Sequence, residues 1–168
     1  MEIRNIDSFL RYWASIRGRT SRIVRAIPPE KIEWTYREGK FTLGDLVRHL
    51  AALERFMFAE NIQGRPSCYP GHGEHLAQGY DAVIEYFDRM HQETVDLLRR
   101  LPDERLQATC ETPGGAKLAV WKWLRAMIEH EVHHRGQIYL YLGLLGVETP
   151  PLYGLTSEEV LERSETIE

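Results

Sequence analysis

Only two cysteines, Cys68 and Cys110, occur in the 168 residues, and both fall in expected connections. Two thiols cannot build a disulfide framework, and they lack the paired spacing of a zinc knuckle, so both read as inert. Long uncharged runs are missing as well: no stretch approaches the length of a membrane span, and the segment from Met1 to Asp7 lacks the basic start and apolar core of a secretory signal. The expectation is a cytoplasmic protein with no membrane partner. Charge of one sign is scarce too. The formal net charge is −4, with Arg and Lys interspersed among Asp and Glu, which leaves no basic footprint for a nucleic-acid backbone. Internal repeats and low-complexity tracts are absent. No alternating run is long enough for a sheet, although residues 117–120 can briefly extend.

What is present is helical periodicity. A chain of this length with 43% hydrophobic residues closes one core, so residues 1–168 are expected to form a single domain. From about Asn5 to Ile27, Phe9, Tyr12, Trp13, Ile16, Ile23, Val24 and Ile27 recur every three or four residues, and Pro28 and Pro29 end the segment. Thr42 followed by Asp45 has the form of a capping box and opens a second helix, which fades near Gly64 and Pro66. A third helix is expected from about Glu74 to Leu101, stopping at Pro102. A fourth begins after Pro113-Gly-Gly115 and runs to about Gly146, which suits a C-terminal cap. Thr156 or Ser157 caps a short terminal helix through Arg163. Four long amphipathic helices make an all-α four-helix bundle. The long connections leave the helix order open from pattern alone.

The fourth helix carries the chemistry, in the run Glu129-His-Glu-Val-His-His-Arg-Gly-Gln137. At about 100° per residue, Trp123, Met127, His134, Gln137, Ile138, Tyr141 and Leu145 fall within roughly 60° of His130, so both histidines point inward with core residues. His49 holds the same kind of position on the second helix, beside Leu46, Leu53, Phe56 and Met57. Three buried imidazoles without a ligand would each need partners that an apolar surround does not supply. Meeting at one divalent ion satisfies them and leaves a position for water or substrate, as catalytic sites do. His133 lies about 100° from His134 and is excluded as a ligand. His91, near the inward stripe of the third helix, is open to three roles: ligand, outer hydrogen bond or packing. His72 and His75 sit in a glycine-bearing loop, where they are solvated, cap a helix or line an entrance.

Glu131 completes the pattern H-E-x-x-H with His130 and His134, in which a glutamate activates metal-bound water. A zincin also needs a third ligand further along the chain and an accompanying sheet, and neither is found. Glu131-x-x-His134 copies half of a di-iron carboxylate site, but the second half is missing, and the inward acid on the second helix is only Glu60.

The segments Thr42-Leu-Gly-Asp-Leu-Val-Arg-His-Leu-Ala51 and His130-Glu-Val-His-His-Arg-Gly-Gln137 resemble those of the DinB-like, or YfiT-like, family of metal-dependent enzymes, and the resemblance extends over essentially the whole chain. It implies an up-down-down-up bundle, a metal triad at His49, His130 and His134, zinc or nickel as the ion, and a homodimer. It further implies transfer of a low-molecular-weight thiol, such as bacillithiol or mycothiol, to an electrophile. The expected function is therefore activation of a thiol or water for S-transfer or hydrolysis of a small-molecule substrate, with Glu131 or His91 as proton acceptor. The alternative is a non-catalytic bundle that the metal only locks, acting by dimerisation or small-molecule binding. Trp121 and Trp123, which cannot share one core stripe, supply the surplus aromatic surface for a dimer. Within the signature, Gly136 suits close helix approach, Arg135 a carboxylate partner, and Gln137 a hydrogen bond near the metal.

Overall fold

The computed structural model describes residues 2–164. Its elements are α1 (Ile6–Arg25), α2 (Leu43–Leu53), a π-helical turn (Glu54–Phe58), α3 (Ala59–Ile62), α4 (Tyr80–Arg99), β1 (Thr109–Glu111), β2 (Lys117–Ala119), α5 (Val120–Leu144) and α6 (Ser157–Arg163). α2, the π turn and α3 follow without a break and form one rod, so the bundle consists of α1, this rod, α4 and α5.

Side-chain pairs fix the directions. Asn5, at the start of α1, bonds Asp103 beyond the end of α4, and Arg25, at the end of α1, pairs with Asp88 nearer the start of α4, so these two run antiparallel. The rod and α4 climb together, because Glu54 meets His91 with its ring 3.0 Å away and Arg48 bonds the carbonyl of Ala77 before α4 begins. His49 near the start of the rod meets His130 on α5, while Phe58 near its end stacks on Trp123 further back along α5; these two are antiparallel. The arrangement is up-down-down-up, with α1 beside α4 and α5, and the rod beside the same two.

Local chemistry explains the boundaries. Thr42 and Asp45 form the expected capping box, 2.9 Å and 3.0 Å for its two bonds. Thr156 and Glu159 do the same for α6. Gly146, with φ of 71°, follows the cap of α5. α4 starts later than the periodicity implied: Arg48 takes the carbonyls of His72 and Ala77 at 2.7 and 3.0 Å, holding 72–77 as a loop, and Gly79 turns into the helix with φ of 80°. α5 also starts later, because Thr109–Glu111 and Lys117–Ala119 pair as a two-stranded antiparallel hairpin around Gly115. Tyr12 faces outward at 55% exposure rather than joining the stripe of α1.

The core is two apolar clusters separated by a polar step on every rod. α1 passes from Ile16 to Ile23 across Arg17 and Thr20, and the rod from Ala52 to Phe58 across Glu54. α4 passes from Met90 to Leu98 across His91 and Thr94, and α5 from Ile128 to Ile138 across His130, Glu131, His134 and Arg135. Trp121 and Trp123 both pack against the second cluster. Each is only partly buried there, so part of each ring stays at the surface. Among the described residues no helix is long and apolar enough to cross a membrane.

Candidate metal centre

α5 is an uninterrupted helix of 25 residues, so His130 and His134 stand one turn apart on the same side, and the rod brings His49 against them. One donor nitrogen from each of the three lies within 4.8 Å of the other two. The Nε2 atoms of His49 and His130 are 3.2 Å apart. Metal–nitrogen bonds of about 2.0–2.1 Å in a tetrahedral site place neighbouring donors about 3.3 Å apart, so this spacing fits an ion. Among the described residues no fourth histidine, cysteine or carboxylate joins the group. A site built this way has three protein donors and an open remainder.

The other ring nitrogens show how the imidazoles are oriented. His134 Nδ1 donates to Gln137 Oε1 at 2.7 Å, which leaves its Nε2 lone pair free. His49 Nδ1 meets the Tyr69 hydroxyl at 2.7 Å, again sparing Nε2. Such outer contacts fix tautomer and ring orientation in metal sites. Burial pushes the His49 imidazole down to about 4 and that of His130 to about 3, each assisted by its imidazole neighbours. Burial lowers His134 as well, although the Gln137 contact opposes the shift. All three are therefore neutral at pH 7, the form that binds metal. Burial also pushes the Tyr69 phenol up to about 12, so its proton is retained.

The structure does not bring Glu131 and His91 to these rings. Glu131, about 100° around α5 from His130, faces α1: its carboxylate accepts the Trp13 indole N–H at 2.9 Å and lies 3.7 Å from Arg17 Nε. His91 donates Nδ1–H to Glu54, 3.0 Å away, and stands edge-on to Trp13. Arg17 pairs with Glu54 and rests on the Phe87 ring. These groups form a buried network of their own across all four rods. Of the remaining histidines, His133 is exposed, His75 is exposed with Nε2 3.2 Å from the Pro70 carbonyl, and His72 hydrogen-bonds Tyr69 with its ring edge-on to His49 at 6.1 Å between centroids.

Within the signature, Gln137 acts as anticipated, but Arg135 is buried with Nη1 unpartnered and makes no ion pair among the described residues. Gly136 is exposed, and a Cβ there would meet nothing within 4 Å, so close helix approach is not its role in this chain. The buried acid facing the interior network from the rod is Glu54, while Glu60 is taken by Arg55 and Arg65. A regular helix puts Glu54 about 140° from His49, on the buried stripe of Val47, Leu50 and Ala51, where it meets His91 of α4 rather than the rings on α5. Tyr69 carries no sequence signal, because it reaches His49 from an irregular connection.

A model of the DinB superfamily matches residues 12–138, and the chain belongs to that superfamily. Among its relatives, the uncharacterised protein YjoA of Bacillus subtilis is 22% identical over 88% of this chain and 95% of its own. The crystal structure of that DinB-like protein superposes with a TM-score of 0.71 over 86% of this chain and 96% of its own. YfiT of B. subtilis, described as a probable metal-dependent hydrolase with an unusual four-helix bundle topology, gives 0.67 at 16% identity over 88% of this chain and 91% of its own. A mycothiol-dependent maleylpyruvate isomerase gives 0.63 at 16% identity, over 80% of this chain and 60% of its own. At these identities the superpositions establish the shared bundle.

Proposed function

We propose that the protein is an enzyme that holds a divalent ion, zinc or nickel, through Nε2 of His49, His130 and His134, and uses it to activate a thiol or water. The observation that carries this reading is the convergence of three neutral imidazoles within 4.8 Å with no fourth protein donor among the described residues. A bound divalent ion lowers the pKa of a coordinated water or thiol and so supplies a nucleophile near neutral pH. Gln137 holds the His134 ring and Tyr69 the His49 ring, so both present Nε2 before an ion arrives. Neither Glu131 nor His91 is assigned as proton acceptor, since the one faces Trp13 and Arg17 and the other Glu54. The favoured reaction is transfer of a low-molecular-weight thiol to a small electrophile. It is supported by the fold shared with an isomerase described as mycothiol-dependent, while the fold shared with YfiT supports hydrolysis as the alternative.

The test is turnover. Zinc- or nickel-loaded protein is incubated with candidate thiols and a generic electrophile, and in parallel with simple esters and amides. Acceleration over the blank, abolished by chelation and by His130→Ala, is expected. Full metal occupancy with no acceleration of any of these reactions supports instead a bundle that the ion only locks. We further propose that a second copy covers the exposed apolar stripe of α5, where Val132, Tyr139, Leu140 and Leu144 are 41%, 36%, 62% and 59% exposed.

A further inference from the structure

The Tyr69 hydroxyl lies between two imidazoles, 2.7 Å from Nδ1 of His49 and 3.3 Å from Nδ1 of His72. A phenol carries one proton, so it donates to one ring and accepts from the other. Once His49 commits its Nε2 lone pair to an ion, its neutral ring carries the proton on Nδ1 and must donate to the Tyr69 oxygen. The phenolic proton is then left for Nδ1 of His72, whose own proton sits on Nε2. The contacts make a chain with one permitted direction, His49 to Tyr69 to His72.

The chain is held by packing outside it. His72 lies against the Phe41 ring at 4.1 Å between centroids, and Phe41 also meets His49 edge-on at 5.3 Å. Arg48, fully buried and next to His49 in sequence, binds the main-chain carbonyl of His72 at 2.7 Å, and its guanidinium is fixed by Glu33 and Asp45 at 2.7–2.9 Å. The helix that carries His49 thus also anchors the loop that carries its partners. Since Arg48 grips the backbone of His72, truncating that side chain leaves the anchor in place.

We propose that Tyr69 and His72 are positioning residues of the metal centre, with His72 acting only through the Tyr69 hydroxyl to hold His49 as an Nε2 ligand. This rests on the metal reading above. The test is a double-mutant cycle on cobalt affinity, measured by competition with a chromophoric chelator in the wild type, Tyr69→Phe, His72→Ala and the double variant. The visible spectrum of the bound Co(II) and the melting temperature of the metal-free proteins are followed in parallel. Loss of an outer hydrogen bond to a ligand weakens metal binding about 10–100-fold, and that loss is expected for Tyr69→Phe, together with an altered cobalt spectrum and an unchanged metal-free melting temperature. His72→Ala weakens binding less, and adds nothing in the Tyr69→Phe background. Tyr69→Phe with wild-type affinity and spectrum, or a His72→Ala effect that persists undiminished without the hydroxyl, overturns the inference while leaving the metal centre standing. A wild type that binds no cobalt overturns both.

Discussion

An imidazole loses its hold on a proton once it is taken out of water, and this bundle takes several out together. His49 is held near 4, and His91 and His130 near 3, chiefly by burial, against 6.5 in the open chain. Below pH 6.5 the unfolded chain therefore takes up protons that the folded one refuses, so stability falls as pH falls, beginning near 6.5 and continuing toward 3. Metal-free protein is expected to melt at a lower temperature at pH 5 than at pH 7; a flat or opposite trend contradicts the burial of these rings. Asp45 and Glu60, whose carboxyls their neighbours hold low, lose their contribution only at more acid pH and leave the upper window to the histidines. A second expectation concerns Arg17, 5% exposed and paired with the equally buried Glu54. Breaking a buried pair leaves an uncompensated charge and costs about 3–5 kcal/mol. Arg17→Met should lower unfolding free energy by that order in a urea titration; a change under about 1 kcal/mol contradicts the burial of the pair. The three central histidines were legible from spacing alone, because each sits on a regular helix where angular position follows from residue number. Tyr69, reaching in from a connection, obeys no such count, whereas Glu54 follows it on the stripe of Val47 and Leu50 rather than on that of His49.

The helices that begin or end on a side-chain signal were the readable ones. Asn5, Thr42 and Thr156 each cap a helix through their own side-chain oxygen, and all three starts follow from the sequence. Loss of such a cap costs about 1 kcal/mol. Thr42→Ala is expected to destabilise by at least that amount, since its hydroxyl also donates to Glu33 at 2.8 Å; chemical denaturation showing no change contradicts the capping role. The starts that misled are those set from a distance. Apolar periodicity continues back through Leu76, but Arg48 occupies the carbonyls that a helix there would need, and α4 waits for Gly79. The segment before α5 reads equally well as helix or extended chain. Its pairing with Thr109–Glu111 decides the matter, and strand pairing is invisible to a window that sees only neighbours.

At the scale of the molecule, the candidate centre ties the rod to α5 between two apolar clusters that meet only across polar residues. A ligand that binds only the folded state stabilises by mass action, about 2.7 kcal/mol at a concentration one hundred times its dissociation constant. Chelation should accordingly lower the melting temperature of metal-loaded wild type and leave His130→Ala unmoved; equal shifts in both contradict an ion at this position. Sedimentation at micromolar concentration should show a dimer that Leu140→Glu dissociates, and a wild-type monomer contradicts self-association through α5. The topology shows why the two signatures had to be read together: the antiparallel rod and α5 place the first turns of one beside the middle of the other, and only there do the three rings meet.

The most direct test is elemental analysis of purified wild type beside His49→Ala, His130→Ala and His134→Ala after saturation with zinc or nickel and desalting. One divalent ion per wild-type chain and little or none in each variant is the predicted result. A wild type that retains no ion, or a variant that keeps full occupancy, contradicts the shared three-histidine centre.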